Sequence, residues 1–390
     1  MINRNFISII GGVGHVGAPL GLSFSSKGYY VTLIDKNQKN IKKINKGQMP
    51  FIEEGCSTLL KKMIRNKKIF ATEELKEVKK SKYIIICLGT PINKKFKPDL
   101  KKFINFFHTL KKYLNKNQIV IIRSSIYPGT YNKVYNIIKN HCQNLSYCPE
   151  RIAQGKSLIE LPKISQIISG KNKKAKLESG KIFKKICKKI IYTEILESEL
   201  IKLFSNAYRY INFSIANQFY LICQNHGLDF LKIRSLMRDN YKRNENLPAP
   251  GFTAGPCLLK DTMQLSSFYN HKFPLFKSAM SVNESLPQFI IEKLSSEYNL
   301  KKKIVGVLGL SFKAENDDIR DSLAIKLLKK LKSKKIKTLQ SDVHYKNEKN
   351  VDKNILIKKA DIIIIATPHK AYKKLKIKKN KVLIDIWGIV

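Results

Sequence analysis

The chain has 390 residues, of which 43% are hydrophobic, so it is long enough for two or three domains with ordinary cores. No apolar run reaches the roughly 18 residues of a membrane span, and the chain opens on a strand rather than a signal peptide, so we expect a cytoplasmic protein without a membrane partner. The net charge of +45 allows an acidic partner, but the lysines are dispersed and accompany abundant Ile and Asn, as an A/T-biased genome would produce, so we expect no specific nucleic-acid partner.

The first part of the chain alternates short apolar runs with helical stretches. "FISII" (6–10) and "YYVTLID" (29–35) predict strands around a glycine loop and a helix. "YIIICLGTP" (83–91) and "IVIIRSSIYPGT" (119–130) predict further strands that end in small or turn residues. Such a pattern is typical of a parallel sheet covered on both faces.

The middle of the chain is helical, and the end returns to the first pattern. Residues 195–227 have helical apolar spacing and no Pro or Gly before Gly227, which predicts one long helix. From about 303, "KIVGVLGLSFK", "IKTLQSDV", "ADIIIIATPH" and "VLIDIWG" predict strands of a second α/β unit. We therefore predict an α/β fold with two Rossmann-like, doubly wound parallel-sheet domains joined by a central helical domain. The predicted boundaries are 1–192, 193–300 and 301–390.

A dinucleotide-type loop follows the first strand. Gly12, Gly14 and Gly17 form G-x-G-x-x-G at the start of a helix, and Asp35 ends the next strand. The glycines permit a tight turn and close approach of a pyrophosphate, and the helix N-terminus attracts its charge. The Asp35 carboxylate suits a ribose 2′-hydroxyl and repels a 2′-phosphate, which favours NAD over NADP.

Cys257 is one of seven cysteines, none with zinc-type spacing, so we expect no metal site. It follows two glycines and three prolines in "PAPGFTAGPCLLKD", a composition typical of a shaped loop. Lys260 follows closely, and a nearby cation favours the nucleophilic thiolate. The sequence alone leaves Cys257 open as either a nucleophile or an ordinary thiol.

Other polar residues fall where a site could form. Lys202, Asn206 and Arg209 share one face of the long helix, which is either a solvated face or the lining of a cleft. The opposed face holds Leu203, Phe204 and Ala207, and we expect that face to pack. "CPERIAQG" places Glu150 after a predicted strand, at the sheet edge where ligands bind in open α/β folds. For each such loop alone, turn formation is the simpler interpretation.

In combination these motifs resemble the UDP-glucose/UDP-N-acetylmannosamine dehydrogenase family. The resemblance covers nearly the whole chain in order and includes "GGVGHVGAPL", "RSSIYPGT", "CPERIAQG", "ESELIKLFSNAYR", "GFTAGPCLLKDT" and "GLSFKAENDDIRDS". The Gly-Pro-Cys-Leu run resembles the branch that acts on UDP-N-acetyl-D-mannosamine. The resemblance implies two NAD-dependent oxidations of a sugar C6 alcohol to a carboxylate, through a cysteine thiohemiacetal and thioester, in the synthesis of surface polysaccharide precursors. It also implies that 1–192 binds NAD, that 193–300 forms a homodimer or a higher homo-oligomer, and that 301–390 binds the UDP-sugar.

The resemblance also implies residue roles. The catalytic residues it implies are Cys257 (nucleophile), Lys202 (acid/base), Asn206 (oxyanion), Asp261 and Glu150 (near the hydrolytic water). The implied NAD contacts are Gly12, Gly14, His15, Val16, Gly17, Asp35, Thr90, Ser125 and Arg320. The implied substrate contacts are Arg151, Ile152, Lys202, Asn206, Arg209, Lys313 and, reaching the neighbouring subunit's site, Arg243.

Some positions of the chain depart from the pattern of the family. Ser125 replaces a threonine, and "SDV" (341–343) replaces a more usual Asp-Pro, which affects substrate detail more than reaction type. UDP-glucose or UDP-N-acetylglucosamine is the alternative substrate. A non-catalytic, basic, nucleic-acid-binding Rossmann scaffold is the alternative of a different class, and it predicts salt-sensitive binding to DNA or RNA.

Overall fold

The computed structural model describes residues 3–93, 98–252, 255–270, 272 and 274–390. The chain divides into two compact units, Met1–Phe204 and Ser205–Val390. Two residues of the loop before Cys257, Thr253 and Ala254, lie outside the described part. No helix within the described ranges combines the length and the apolar character that a membrane span requires.

The first unit is built on a mixed sheet with the order β3-β2-β1-β4-β5-β6-β7-β8. Its strands are β1 (Asn3–Ile10), β2 (Tyr30–Ile34), β3 (Ile69–Thr72), β4 (Ser81–Ile86), β5 (Ile119–Ile122), β6 (Leu145–Tyr147), β7 (Ser165–Gly170) and β8 (Lys189–Tyr192). The pairs from β3 to β6 are parallel, whereas β7 runs antiparallel to β6. The strand order reverses between β1 and β4, which is where ligands bind in open α/β sheets.

Apolar side chains bury both faces of this sheet. Alternate residues of β1 enter different cores, with Ile9 on one face and Ile10 on the other. The same alternation separates Ile85 from Ile86 in β4. The β-branched runs of the sequence are therefore strands covered by helices on both sides.

Helices of the first unit cover these two faces. They are α1 (Gly17–Ser26), α2 (Gln38–Asn45), α3 (Cys56–Arg65), α4 (Lys101–Leu110), α5 (Thr130–Ile138), α6 (Ser157–Glu160) and α7 (Lys173–Phe183). Asn37 and Asn172 cap α2 and α7 by accepting backbone N–H groups of those helices. α8 (Ile195–Asn225), the predicted long helix, has 31 residues and crosses the boundary between the units.

The second unit has a four-stranded parallel sheet with the order β10-β9-β11-β12. Its strands are β9 (Ile304–Leu308), β10 (Lys337–Ser341), β11 (Ile362–Ile365) and β12 (Val382–Asp385). Its further helices are α9 (Phe230–Arg238), α10 (Leu258–Phe268), α11 (Leu275–Glu297), α12 (Leu323–Ser333) and α13 (Lys353–Lys359). A largely parallel sheet in the first unit, a parallel sheet in the second unit and the long middle helix confirm the predicted α/β fold class.

The largest core of the second unit joins its helices to its sheet. Leu286 and Ile290 of α11 pack in one cluster with Leu327 of α12 and with Val305 and Ile364 of the sheet. The helical middle and the last α/β segment therefore share a core. A loop that belongs to the helical part can consequently be held by side chains of the sheet.

Candidate active site

The glycine loop after β1 leaves room for a ligand at one position and packs tightly at the others. A Cβ on Gly12 would lie 2.6 Å from the Ile9 carbonyl oxygen, and a Cβ on Gly17 would lie 2.7 Å from the Gly12 Cα. A Cβ on Gly14 would meet only the Gly11 carbonyl oxygen, at 3.4 Å. The turn needs glycine at 12 and 17 for its own packing, whereas the space over Gly14 suits a pyrophosphate.

Asp35 lies beside this loop, as the sequence predicts. Its Oδ2 accepts the Val13 N–H at 3.3 Å, and its Oδ1 accepts the Asn37 N–H at 3.1 Å. The carboxylate remains partly exposed at the end of β2. A carboxylate fixed next to a glycine turn fits the ribose hydroxyls of NAD, so the residues present suit this cofactor.

His15 and Val16 complete the start of α1. Val16 is the N-cap of that helix. The His15 ring packs on Phe51 with centroids 4.0 Å apart, and Gln154 Nε2 lies 3.0 Å from His15 Nδ1. The cofactor loop is thus in direct contact with the loop that contains Glu150.

The loops after β4 and β5 are joined by a hydrogen bond. The Thr90 hydroxyl donates to the Ser125 carbonyl oxygen, and Thr90 is buried. Both residues lie at the carboxyl edge of the sheet, next to the strand-order reversal. That Thr90 and Ser125 contact the cofactor stays a prediction.

A buried ion pair fixes Glu150. Its Oε2 accepts Arg123 Nε at 2.7 Å and lies 2.5 Å from Arg123 Nη2. Its Oε1 accepts the N–H groups of Arg151 and Ile152 at 2.8 and 2.9 Å. Burial by itself lowers the pKa of Arg123, but Glu150 raises it, and the net shift is upward. With both oxygens occupied by donors, Glu150 is suited to bracing the loop.

Two more glutamates hold the rest of this loop. Glu160 accepts the Ala153 N–H at 2.8 Å. Glu53 accepts the N–H groups of Gly155 and Ser157 at 2.9 and 2.7 Å. Carboxylates therefore fix the backbone N–H groups of the loop from 151 to 157.

On α8, Lys202 and Asn206 are not on a solvated face. They are 8% and 6% exposed and lie among buried Leu203 and Ala207, whereas Phe204, expected on the opposed packed face, is 53% exposed. Arg209, from the same predicted stripe, is exposed. Buried polar groups require partners, so the solvated-face interpretation is wrong for Lys202 and Asn206.

Glu199 anchors α8 one turn before Lys202. Its carboxylate accepts the N–H groups of Gly129 and Tyr131 at 2.8 and 3.0 Å, at the start of α5. Burial raises the pKa of Glu199, and the two backbone donors oppose that shift. The "YPGT" turn and the helix that carries Lys202 are therefore connected.

In the second unit, Asp261 is a fully buried carboxylate with two partners. Its Oδ2 accepts Asn206 Nδ2 at 2.6 Å, and Lys260 Nζ lies 2.5 Å from its Oδ1. Asn206 thereby joins α8 to α10. The structure brings these two predicted catalytic residues together.

Cys257 is the N-cap of α10 and is exposed, whereas five of the other six cysteines are buried and Cys87 is half-buried. Burial raises the pKa of the Cys87 and Cys148 thiols to about 12, so those thiols stay protonated. The positive end of α10 favours negative charge at its N-terminus. This location supports the nucleophile over the ordinary thiol.

Arg320 lies in the loop after β9 and is held there by Asp318. Its Nε and Nη2 bind the Asp318 carboxylate at 2.9 and 2.6 Å. Asp318 raises the pKa of Arg320, burial lowers it, and Cys257 is among the groups that raise it. Arg320, expected at the cofactor, thus also lies within electrostatic reach of Cys257.

Lys313, Arg243 and Arg151 are further predicted substrate residues. Lys313 is half-buried, and its carbonyl oxygen accepts the Ser311 hydroxyl at 2.8 Å. Arg243 is exposed in a 3₁₀ turn, Lys242–Asn244. Arg151 is half-buried and donates from Nη2 to the Ser165 carbonyl oxygen at 2.6 Å.

Among the described residues of the second unit, Glu315, His344 and His369 form a group of potential metal ligands. The Glu315 N–H donates to His369 Nδ1 at 3.0 Å. His369 Nε2 lies 3.3 Å from both Asp342 Oδ2 and Ser311 Oγ. Both ring nitrogens of His369 therefore have partners, and His369 links the segments that contain Ser311, Glu315 and Asp342.

Sequence reasoning missed Arg123, Glu53, Glu160 and Glu199. Arg123 had a visible signal, since it is a charged residue at the end of the apolar run "IVII". The glutamates had none, because each accepts N–H groups from a distant or irregular segment.

Family models match three consecutive parts of the chain. They are described as the NAD binding domain, the central domain and the UDP binding domain of the UDP-glucose/GDP-mannose dehydrogenase family, and they match residues 5–191, 196–285 and 306–390.

Individual proteins match over almost the whole chain. A UDP-N-acetyl-D-mannosamine dehydrogenase of Pyrococcus horikoshii is 30% identical over 97% of this chain and 94% of its own length. A UDP-glucose 6-dehydrogenase of Rickettsia conorii is 27% identical over the same shares of the two chains. The solved structure of the UDP-D-ManNAc dehydrogenase from Pyrococcus horikoshii has a TM-score of 0.90 and 28% identity, with 99% of this chain and 96% of that chain covered.

Proposed function

Because this chain belongs to the UDP-glucose/GDP-mannose dehydrogenase family and is an NAD-dependent nucleotide-sugar dehydrogenase, we propose that its substrate is UDP-N-acetyl-D-mannosamine. The proposed product is the C6 carboxylate, a precursor of surface polysaccharide. The relatives with that name and the Gly-Pro-Cys-Leu run support this substrate. Family membership argues against a non-catalytic nucleic-acid-binding scaffold.

The proposed mechanism depends chiefly on one observation, the exposed Cys257 at the N-terminus of α10. NAD⁺, when bound, supplies the hydride acceptor for each of the two oxidations. Lys202 takes the proton of the C6 hydroxyl as the alcohol becomes an aldehyde. The Cys257 thiolate adds to C6 and holds the aldehyde as a thiohemiacetal, and oxidation of this adduct gives a thioester that water hydrolyses.

Asn206 and Asp261 support these steps. The amide of Asn206, held by Asp261 at 2.6 Å, is the proposed donor to the oxyanion at C6. Asp261 assists proton transfer at the hydrolytic water, with its charge balanced by Lys260 at 2.5 Å. Glu150 was expected near the same water, and its three hydrogen-bond donors and its ion pair with Arg123 favour a role in fixing the loop next to it.

The remaining residues bind the two ligands in this proposal. The glycine loop with His15, Val16 and Asp35, together with Thr90, Ser125 and Arg320, holds NAD. The sugar nucleotide contacts Arg151, Ile152, Arg209 and Lys313, and Arg243 reaches it from a second subunit. The functional boundaries that we propose are 1–192, 193–300 and 301–390.

We also propose that the enzyme is at least a homodimer with α8 in its interface. One face of α8 exposes large apolar side chains at helical spacing, namely Phe204, Tyr208, Ile215, Phe219 and Ile222. An exposed apolar stripe of this length marks an interaction surface. Sedimentation of the protein, with Ile215→Lys as the interface variant, tests this assembly.

The second candidate substrate is UDP-glucose, which the similarity to UDP-glucose 6-dehydrogenases of Rickettsia favours. The deciding experiment offers UDP-N-acetylmannosamine, UDP-glucose and UDP-N-acetylglucosamine separately with NAD⁺, follows NADH and weighs the product. We expect about two NADH per UDP-N-acetylmannosamine, as the four-electron oxidation requires, and a uronate product. A higher kcat/KM on either other sugar would overturn the substrate assignment and leave the reaction type standing.

A further inference from the structure

Two glycines of the loop before Cys257 pack closely against aromatic rings. Gly251 has φ +145°, and a Cβ there would lie 2.5 Å from the Trp387 ring. Gly255 has φ +113°, and a Cβ there would lie 2.6 Å from the Phe312 ring. Since a side chain has no room at either point, each ring limits how far the loop backbone can move toward it.

The backbone at Gly251 is also fixed from its other side. Its N–H donates to the buried Asn217 Oδ1 on α8 at 2.8 Å. Asn217 Nδ2 donates to Asn283 Oδ1 on α11 at 2.8 Å, and Asn283 Nδ2 donates to the Tyr210 carbonyl oxygen at 3.2 Å. Gly251 is therefore held between a buried amide pair and an indole ring.

The Trp387 ring is itself anchored. Its Nε1 donates to the Ala366 carbonyl oxygen at 3.1 Å. Asp385 accepts the N–H groups of all four residues that follow Ile386, at 3.1, 2.9, 2.7 and 2.9 Å. Residues 387–390 are therefore folded around the Asp385 carboxylate, and this arrangement holds the indole in place.

We propose that Trp387 and Phe312 are positioning residues that clamp the loop of Cys257, so that the last α/β segment sets the location of the nucleophile. This inference rests on the proposed role of Cys257. Phe312 adjoins Lys313, a proposed substrate contact, whereas Trp387 belongs to none of the proposed ligand contacts. Trp387 and Gly251 therefore give the cleaner test.

Trp387→Leu should mainly slow the step that needs the thiol. A displacement of about 1 Å at a reacting group costs on the order of 100-fold, so we expect the second oxidation to slow about 10- to 100-fold. The first turnover of NAD⁺ and the KM for the UDP-sugar should stay within about twofold. Trp387→Phe, which keeps an aromatic plane against Gly251, should recover most of the rate.

Gly251→Ala is the complementary variant, and Gly28→Ala is its control. Gly28 also has positive φ, at +94°, but nothing lies within 4 Å of its Cβ position. Trp387 is the single tryptophan, so its emission reports the contact directly. We expect a shifted emission and a slowed second oxidation for Gly251→Ala, and wild-type emission and rates for Gly28→Ala.

Rapid-mixing measurement of the two NADH phases, with circular dichroism to confirm folding, separates the outcomes. A second phase of wild-type rate in folded Trp387→Leu and Gly251→Ala would overturn the clamp. Equal slowing of both phases would also overturn it, because it would indicate general damage. Full turnover by Cys257→Ser would instead overturn the proposed mechanism, whatever the clamp variants do.

Discussion

Arg123 and Glu150 form an ion pair that joins the end of β5 to the loop after β6, with Arg123 Nη2 and Glu150 Oε2 2.5 Å apart. The arginine side chain is 0% exposed and the glutamate side chain 14% exposed. Arg123 also donates to Gln166 Oε1 at 2.8 Å and packs over the Phe183 ring. Through these partners the buried Arg123 side chain holds the loop after β6, strand β7 and helix α7 in place.

Removing one charge of this pair should destabilise the fold. Glu150→Gln leaves the buried guanidinium uncompensated, which costs about 3–5 kcal/mol in such pairs. The double variant Arg123→Met/Glu150→Gln should recover part of that loss. Chemical denaturation measures both, and Glu77→Gln, which breaks an exposed pair with Lys80, is the control with little expected effect. A loss as small as that of Glu77→Gln would contradict the prediction.

Asp35 should set the cofactor preference. Asp35→Asn keeps an oxygen acceptor for the Val13 or the Asn37 N–H but removes the charge that repels a 2′-phosphate. We expect the kcat/KM ratio of NAD⁺ to NADP⁺ to fall by about tenfold, which corresponds to roughly 1.4 kcal/mol. Steady-state assays with both cofactors measure this ratio. An unchanged ratio would remove Asp35 as the selecting residue.

Cys257 should be both the reactive thiol and an essential one. Iodoacetamide at neutral pH should label it first, because burial holds thiols such as Cys87 and Cys148 protonated, with pKa about 12. Cys257→Ser should lower four-electron turnover by orders of magnitude, whereas Cys223→Ser is the control at a buried cysteine. Peptide mass analysis locates the label. First labelling at another cysteine would count against this assignment.

Asp342 should contribute to stability above acidic pH. Burial raises its pKa, but hydrogen bonds from His369 and from backbone N–H groups outweigh burial and lower the pKa to about 2. Since the folded pKa lies below the unfolded value, the contribution is complete above about pH 4 and is lost as pH falls toward 2. Its size is roughly 2–3 kcal/mol.

The test compares the free energy of unfolding of wild type and Asp342→Asn between pH 6 and pH 2. The difference between the two proteins should be largest near pH 6 and shrink toward pH 2. A difference that does not change with pH would show that Asp342 acts through packing instead of charge.

Arg243 should serve the neighbouring subunit. Mixed Arg243→Ala and Cys257→Ala chains should regain part of the activity, because a hybrid dimer contains one site with both native residues. Activity after co-refolding measures the recovery, with each variant refolded alone as the reference. Failure to recover despite proven hybrid formation would place Arg243 at its own chain's site.

The sequence predicts those features that depend on local order. The strand, glycine loop and Asp35 follow one another closely, so their meeting at the sheet edge follows from the strand–loop–helix pattern alone. The length of α8 follows from an uninterrupted apolar period. The order of the motifs also predicted that Asn206 and Asp261 belong to one site. The two residues are 55 positions apart in the sequence, and their side chains are hydrogen-bonded in the structure.

The features that the sequence does not predict depend on distant partners. Helical spacing put Phe204 with the packed face, yet it is exposed and Lys202 is buried, because tertiary partners decide which face of a central helix is covered. Strand pattern gave no sign that β7 runs antiparallel to β6. The contact of Gly251 with Trp387 joins segments far apart in the chain, and no local rule anticipates it.

The glutamates that hold residues 151–157 limit how this lysine-rich chain can vary. The chain has only 29 acidic residues, and Glu53, Glu150 and Glu160 each accept backbone N–H groups of that loop. A lysine at any of these positions would place an ammonium group, which cannot accept a hydrogen bond, next to backbone N–H donors. Those N–H groups would then lose their partners. Surface positions can exchange acid for lysine with small effect, whereas we expect these three to tolerate neither reversal nor loss of charge. A saturation scan of the acidic residues should therefore place them among the intolerant positions, together with acids whose side chains are buried, such as Asp261 and Asp342.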